Sequence, residues 1–294
     1  MDRSALWTTW DIPWGVTSVL IVSALIYTRG WARIRRTRPD IFPRWRLISF
    51  LGGMSAIFIA VASPLDAFAD RLLVMHMVQH FFLMFVAPPL IIFAAPVVPM
   101  LRGLPRGLMR RGLRPLFASG IPHKIGAFLT RPRVALLAWI LAFLGWHIPH
   151  MYELALSSET IHEYGEHASF FLTSLMLWWP VIAPWPFRHG KVSAAASTLG
   201  GEAHRWVLIP YLMLADVANT AVSAFLCFSG RVLYPSYALQ PRLFGLSALT
   251  DQIAAGAFMW VMGSMAFLIP GMILTVQLLS PRRRQRLYTV PVAR

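Results

Sequence analysis

The sequence predicts an all-α, polytopic membrane helical bundle with seven transmembrane helices. Three observations predict it. The mean hydropathy is +0.58. Only 13% of the 294 residues are charged, against about 25% in an ordinary soluble chain. Apolar runs long enough to cross a bilayer recur along the chain. The chain reads as a single seven-span membrane domain over residues 1–294, with no soluble domain, internal repeat or low-complexity tract.

The first run covers about 14–27 and is followed, not preceded, by a basic block from Arg29 to Arg38. That order suits a retained span better than a cleaved signal. The second run covers about 45–62 and stops at Ser63-Pro64. The third covers about 72–94, the fourth about 134–147, the fifth about 162–183, the sixth about 206–228 and the seventh about 251–279. Prolines at Pro88-Pro89, Pro180, Pro184, Pro210 and Pro270 read as kinks. In a bundle, neighbouring helices re-satisfy the carbonyls that such prolines free.

Charge orients the bundle. Loops 29–46, 102–133, 188–205 and 282–294 hold 23 of the 27 Lys and Arg, which makes them cytoplasmic. The amino terminus is then outside and the carboxyl terminus inside, as an odd number of spans requires. The Pro/Arg/Gly-rich loop 96–130 is expected on the anionic cytoplasmic leaflet. Because the net charge of +15 sits in short inter-span loops, it argues against nucleic acid as a partner. Most acids fall on the other side: Asp2, Asp11, Asp66, Asp70, Glu153, Glu159, Glu163, Glu166 and Asp251 are outside or at the outer boundary. The lone cysteine, Cys227, excludes an internal disulfide framework.

Six of nine histidines map to the outer mouth of the spans. Ionisable or metal-binding groups at membrane depth are costly, so they read as functional. His76 and His80 are four residues apart on one face of the third span, with about 6 Å between them. His147 ends the fourth span before Pro149, and His150 points into the outer loop. His162 and His167 open the fifth span. They are five residues apart, so a regular helix cannot turn both to one ion. Their i,i+4 partners, Glu166 and Glu163, suit carboxylates that fix imidazole tautomers. Asp251 begins the seventh span and is a candidate ligand, with helix capping as the alternative. The expected metal residues are therefore His76, His80, His147, His167, Asp251, His162 and His150. Copper is the leading ion, and Cu(I) its expected state, since Met75, Met77, Met151, the stripe Met259, Met262 and Met265, and Cys227 offer soft donors nearby. A methionine stripe in an apolar helix is, however, usually packing. His123, His189 and His204 lie in basic loops and carry no assignment. Asp216, Asn219 and Thr220 suit an interhelical hydrogen-bond node.

Several stretches together resemble the polytopic, many-span CtaG family of cytochrome c oxidase assembly factors. They are His76-Met77-Val78-Gln79-His80 with Ala87-Pro88-Pro89, Trp146-His147-Ile148-Pro149 with Tyr152-Glu153-Leu154-Ala155-Leu156, and Glu166-His167 leading to Trp178-Trp179-Pro180. Asp251-Gln252 with Ala255-Gly256 and Met259-Trp260 completes the set. The resemblance covers about residues 12–280, and it matches His76, His80, His147, His167 and Asp251. It implies a non-enzymatic role in making a haem-copper oxidase, with oxidase subunits and a soluble copper carrier as partners, in the inner (cytoplasmic) membrane of a bacterial cell. A transporter of copper or protons and a haem-binding membrane redox protein are the alternatives. A retinal protein is excluded, because Lys124 and Lys191 are the only lysines and both are in loops. No nucleophile–base–orienter set is legible, so a hydrolase is not expected.

Overall fold

The computed structural model describes residues 10, 12–109, 112, 115, 119–182 and 200–280, with side chains from 205 onward in the last stretch. Pro184, His189, the basic run 188–199 and the basic tail 282–294 lie outside the described residues, as does the side chain of His204.

The described chain is helical, without strands. Helix α1 is Trp14–Arg35 and α2 is Arg44–Ala62. The short α3, Pro64–Ala69, starts where Ser63 Oγ accepts from Leu65 N–H (3.2 Å) and proline takes the first helical position. Helix α4 runs Leu73–Phe93, α5 is Val97–Gly103, α6 Ile121–Leu129, α7 Pro132–His147 and α8 Pro149–Leu156. Helix α9 runs 161–182, α10 is Gly200–Phe228, α11 Pro235–Leu239 and α12 Ala248–Leu279.

Among the described residues, five helices are long and apolar enough to cross a membrane: α1, α2, α4, the Arg205–Phe228 part of α10, and α12. A sixth span results if α6 and α7, which meet at 67°, count together. Helix α9 matches the fifth expected run in length, but it opens with the polar sequence Ile161–His167. Apolar side chains on the bundle's outer surface, such as Leu25, Ile48, Val217 and Met272, are exposed, as a lipid-facing surface requires.

Within the long helices, π-helix occurs at Phe82–Val86 in α4, Ile161–His167 in α9 and Met259–Gly263 in α12. The first lies beside Pro88, which has no N–H to offer the Met84 carbonyl one turn back. Trp178 Nε1–H of α9 supplies the missing bond at 3.0 Å. The third is matched by Asn219, whose Nδ2 donates to Met259 O (3.2 Å), while Ser264 Oγ donates to Asp216 Oδ1 (2.7 Å). These bonds form the polar node expected between the sixth and seventh runs, without Thr220. Met259 packs into the core and Met265 is exposed, so the methionine stripe is a packing feature.

Two large apolar cores result, beside a small cluster of Phe68, Leu72 and Leu243. One joins α4, α7, α9, α10 and α12 around Trp139, Phe143, Phe170 and Phe267. The other joins α1, α2 and α4 around Tyr27, Phe50 and Leu83. The first core ends, at one pole of the bundle, in a layer of histidines.

Candidate metal centre

At that pole the amino-terminal turns of α4, α9 and α12 meet the carboxyl end of α7, with α3, α8 and α11 packed above. His76 and His80 project from the first two turns of α4 with ring centroids 4.3 Å apart. His167 comes from α9, with its ring 5.9 Å from His76 and 5.5 Å from His80. His162 stacks on His76 at 5.0 Å.

The two α9 histidines are the local surprise. Five residues apart, they diverge on an α-helix, but residues 161–167 are hydrogen-bonded i to i+5. That winding places residues five apart one above the other, and the two rings sit 4.2 Å apart. Gly165 allows the segment to pack here, since a Cβ would lie 3.3 Å from the Trp146 ring.

Between the rings lies Glu166, which is fully buried. Its Oε1 is 3.4 Å from His80 Nε2 and 3.8 Å from His76 Nε2. Its Oε2 is 3.8 Å from His162 Nε2. The sequence placed this carboxylate one step away, as a partner fixing the His162 tautomer; the structure places it centrally. The signal was present in its i,i+4 spacing from His162 and its position inside an apolar span.

Two sets of donor atoms lie within 4.8 Å of one another: His76, His80 and His167, and His76, His162 and Glu166. Donors that share one ion sit within about 4 Å of each other, twice a bond length of about 2.0–2.1 Å. Small side-chain movements therefore turn either group into a ligand set. Nine buried donor atoms here have no hydrogen-bond partner within the protein: His76 Nε2, both ring nitrogens of His80 and His167, His147 Nε2, His162 Nε2 and both Glu166 oxygens. Buried polar atoms are nearly always paired, and although each neutral imidazole keeps only one lone pair, such a convergence of unpaired acceptors suits a cation.

The remaining expected residues divide. His147 is buried and its ring lies 6.2 Å from His80. Its Nδ1 is 2.7 Å from Phe143 O, so Nδ1 carries the proton and Nε2 keeps its lone pair. It lies at the edge of the cluster, outside both donor sets. His150 is exposed to solvent.

Asp251 is not at the cluster. Its Oδ2 accepts from Leu73 N–H (2.6 Å) and its Oδ1 from Val74 N–H (3.1 Å), so it caps α4. The cap of its own helix is Ser247, which accepts from Thr250 N–H at 3.0 Å. With both oxygens held by backbone donors, this carboxylate supports the histidine helix and lies outside both donor sets described above. Cys227 is remote as well, with Sγ 3.6 Å from Ile253 O.

Other residues of the expected motifs build the walls. Gln252 Oε1 accepts from Leu233 N–H (2.7 Å), and its amide donates to Leu226 O, Ser229 Oγ and Arg231 O. This clamp holds the loop that carries α11. Glu153 of α8 accepts from both Ser236 N–H and Ser236 Oγ. Tyr234 donates to His147 O at 3.0 Å.

Tyr237 reaches the centre. Its hydroxyl donates to Ala69 O (3.0 Å), lies 3.1 Å from His76 Nδ1 and 3.4 Å from the Tyr152 hydroxyl. Burial pushes this phenol well above its ordinary range, so it keeps its proton. With that proton on Ala69 O, the Tyr237 oxygen accepts from His76 Nδ1–H. His76 is thereby held as the tautomer whose free lone pair is on Nε2, facing the cluster. No motif signals this link, because Tyr237 is 161 residues away from His76.

The mouth is acidic. Gln79 Nε2 donates to Ala60 O (2.8 Å) and Asp66 Oδ1 (2.6 Å). Burial raises Asp66 to about 6, with the Gln79 bond opposing the rise. Glu163 Oε1 lies 3.6 Å from His167 Nδ1.

Comparison with known proteins agrees with this architecture. The family model described as cytochrome c oxidase caa3 assembly factor (Caa3_CtaG) matches residues 25–280. The chain is 24% identical over 235 residues to the uncharacterized protein Mb0105 of Mycobacterium bovis and to the uncharacterized protein MT0111 of Mycobacterium tuberculosis. It is 24% identical over 233 residues to the uncharacterized protein ML1998 of Mycobacterium leprae. Each match covers 71% of this chain and 35% of the relative, so the chain spans about a third of those proteins' length. No solved structure matches.

Proposed function

Since the chain belongs to the family of cytochrome c oxidase caa3 assembly factors, we propose that it holds and delivers copper for that oxidase. The ion is cargo, received and released at the outer face of a bacterial cell membrane. The observation that carries this reading is the set of nine unpartnered donor atoms on His76, His80, His147, His162, Glu166 and His167. Imidazole suits copper, zinc, iron and nickel alike. The oxidase is a haem-copper enzyme, and that selects copper. The donors are imidazole and carboxylate, a set that accommodates Cu(II) as readily as Cu(I).

Seven spans, with α6 and α7 forming the fourth and α9 the fifth, put the cluster opposite the basic loops. An outer acidic mouth containing Asp66, Asp70 and Glu163 then draws cations toward it. Oxidase subunits are the receiving partners, and a soluble carrier outside the membrane is the donor.

The test is copper per protein after anaerobic Cu(I) loading and a mild chelator wash. Wild type retains close to one equivalent. His76→Ala lowers retention far more than His123→Ala, whose ring lies on the exposed α6 far from the cluster in sequence. Equal retention in the two variants would sink the site.

A second test separates holding from positioning. Tyr237→Phe keeps the ring and removes the hydroxyl that fixes His76. Loss of such an outer partner costs about 10–100-fold in metal affinity, measured by competition with a chromophoric chelator. An unchanged affinity would mean that His76 keeps its orientation without Tyr237.

A further inference from the structure

The two donor sets share one residue, His76. Its Nδ1–H is committed to the Tyr237 oxygen, which leaves one lone pair, on Nε2. A neutral imidazole nitrogen of this kind binds one ion at a time. The two sets therefore cannot both be complete at once.

They also differ in depth and chemistry. His162 lies in the first turn of α9 and its side chain is 12% exposed. With Glu166 it makes an outer set that includes a carboxylate. His80 is one turn further along α4 than His76, and His167 is further along α9 than His162. The side chains of His80 and His167 are 5% and 3% exposed, and this deeper set is all imidazole. Glu166 stands between the sets, with Oε2 turned to His162 and Oε1 to His80.

We propose that the centre is two alternative stations for one ion, with His76 as the ligand common to both. This rests on the metal-binding reading above and states how the site handles its cargo. An ion enters at His162 and Glu166 and moves inward about His76. Bonds to His162 and Glu166 break as bonds to His80 and His167 form, while the His76 Nε2 bond persists. The ion never loses all its ligands, and no electron changes hands. Release runs the same exchange in reverse, so the outer pair governs transfer while the inner pair stores.

The test uses the full chain in detergent with Cu(I), counting copper per protein by mass spectrometry and reading ligands by X-ray absorption. Wild type holds one copper. His162→Ala with Glu166→Gln still holds one, bound by imidazoles alone and exchanging with an external chelator at least ~10-fold more slowly than in wild type. His80→Ala with His167→Ala also holds one, with oxygen in its ligand shell and faster exchange. All four substitutions together abolish binding. Should either pair alone abolish binding, the residues form a single coordination sphere and the proposal fails. Two coppers per wild-type chain would establish a dinuclear centre, overturning the two stations while leaving the copper reading intact. No copper in wild type would remove the copper reading itself. Where a double variant aggregates on size exclusion, the single changes His162→Gln and His167→Gln are held to the same criterion of one retained copper.

Discussion

Replacing His76 with alanine removes bound copper more completely than any other single substitution in the cluster. His76 belongs to both donor sets, whereas each of the other histidines belongs to one set at most. Loss of His80 leaves the outer set intact, and loss of His162 leaves the inner one. Loss of His76 leaves no set of three. The expected fall in affinity exceeds the range of about 10–100-fold that follows from losing an outer partner. Chelator competition on wild type, His76→Ala and His162→Ala ranks the three, with circular dichroism checking helix content. A His76→Ala protein that binds copper as tightly as His162→Ala would remove the common ligand from the scheme. Tyr237→Phe offers an internal control. It impairs the same nitrogen without removing it, so its loss must be the smaller of the two.

Five of the seven expected spans were legible because membrane helices announce themselves by hydropathy. The third run, expected at 72–94, is Leu73–Phe93, and the seventh, expected at 251–279, is Ala248–Leu279. The first run extends further than expected, to Arg35, because arginines continue a helix as readily as leucines do. What hydropathy could not show was winding. Nothing in Ile161–His167 advertises i to i+5 hydrogen bonding, and on a regular helix His162 and His167 diverge. The histidines themselves were legible, because five of the six outer ones face the bundle and only His150 faces solvent. Glu166 was half legible: its spacing tied it to His162, but only the convergence of α4 and α9 makes it central. Asp251, Gln252 and Tyr237 were misplaced or missed for one shared reason. Each acts through a contact more than 15 residues distant, such as the 178 residues between Asp251 and Leu73, and a single sequence carries no record of such pairs.

Asp251 provides the sharpest test of that reading, since a ligand and a cap fail differently. Its carboxylate takes the first two N–H groups of α4, and it is buried. Hydrogen bonds to a charged group contribute about 1.5–3 kcal/mol each. The donors left by Asp251→Ala are the amino-terminal N–H groups of the helix that bears His76 and His80, one turn away. Substitution is expected to destabilise the copper-free protein by about 3 kcal/mol or more, the lower end for two such bonds. The thermal midpoint of the apo protein falls, and copper affinity falls with it, because both histidines ride on the frayed turn. Asp251→Asn keeps one acceptor oxygen and recovers part of both. A direct ligand behaves otherwise: its loss weakens copper binding while leaving the apo midpoint unchanged. Thermal unfolding of the apo variants therefore decides the role of Asp251 before any metal is added. An apo midpoint equal to wild type in Asp251→Ala, with copper lost, would return it to the ligand set and would require Leu73 and Val74 to find other partners.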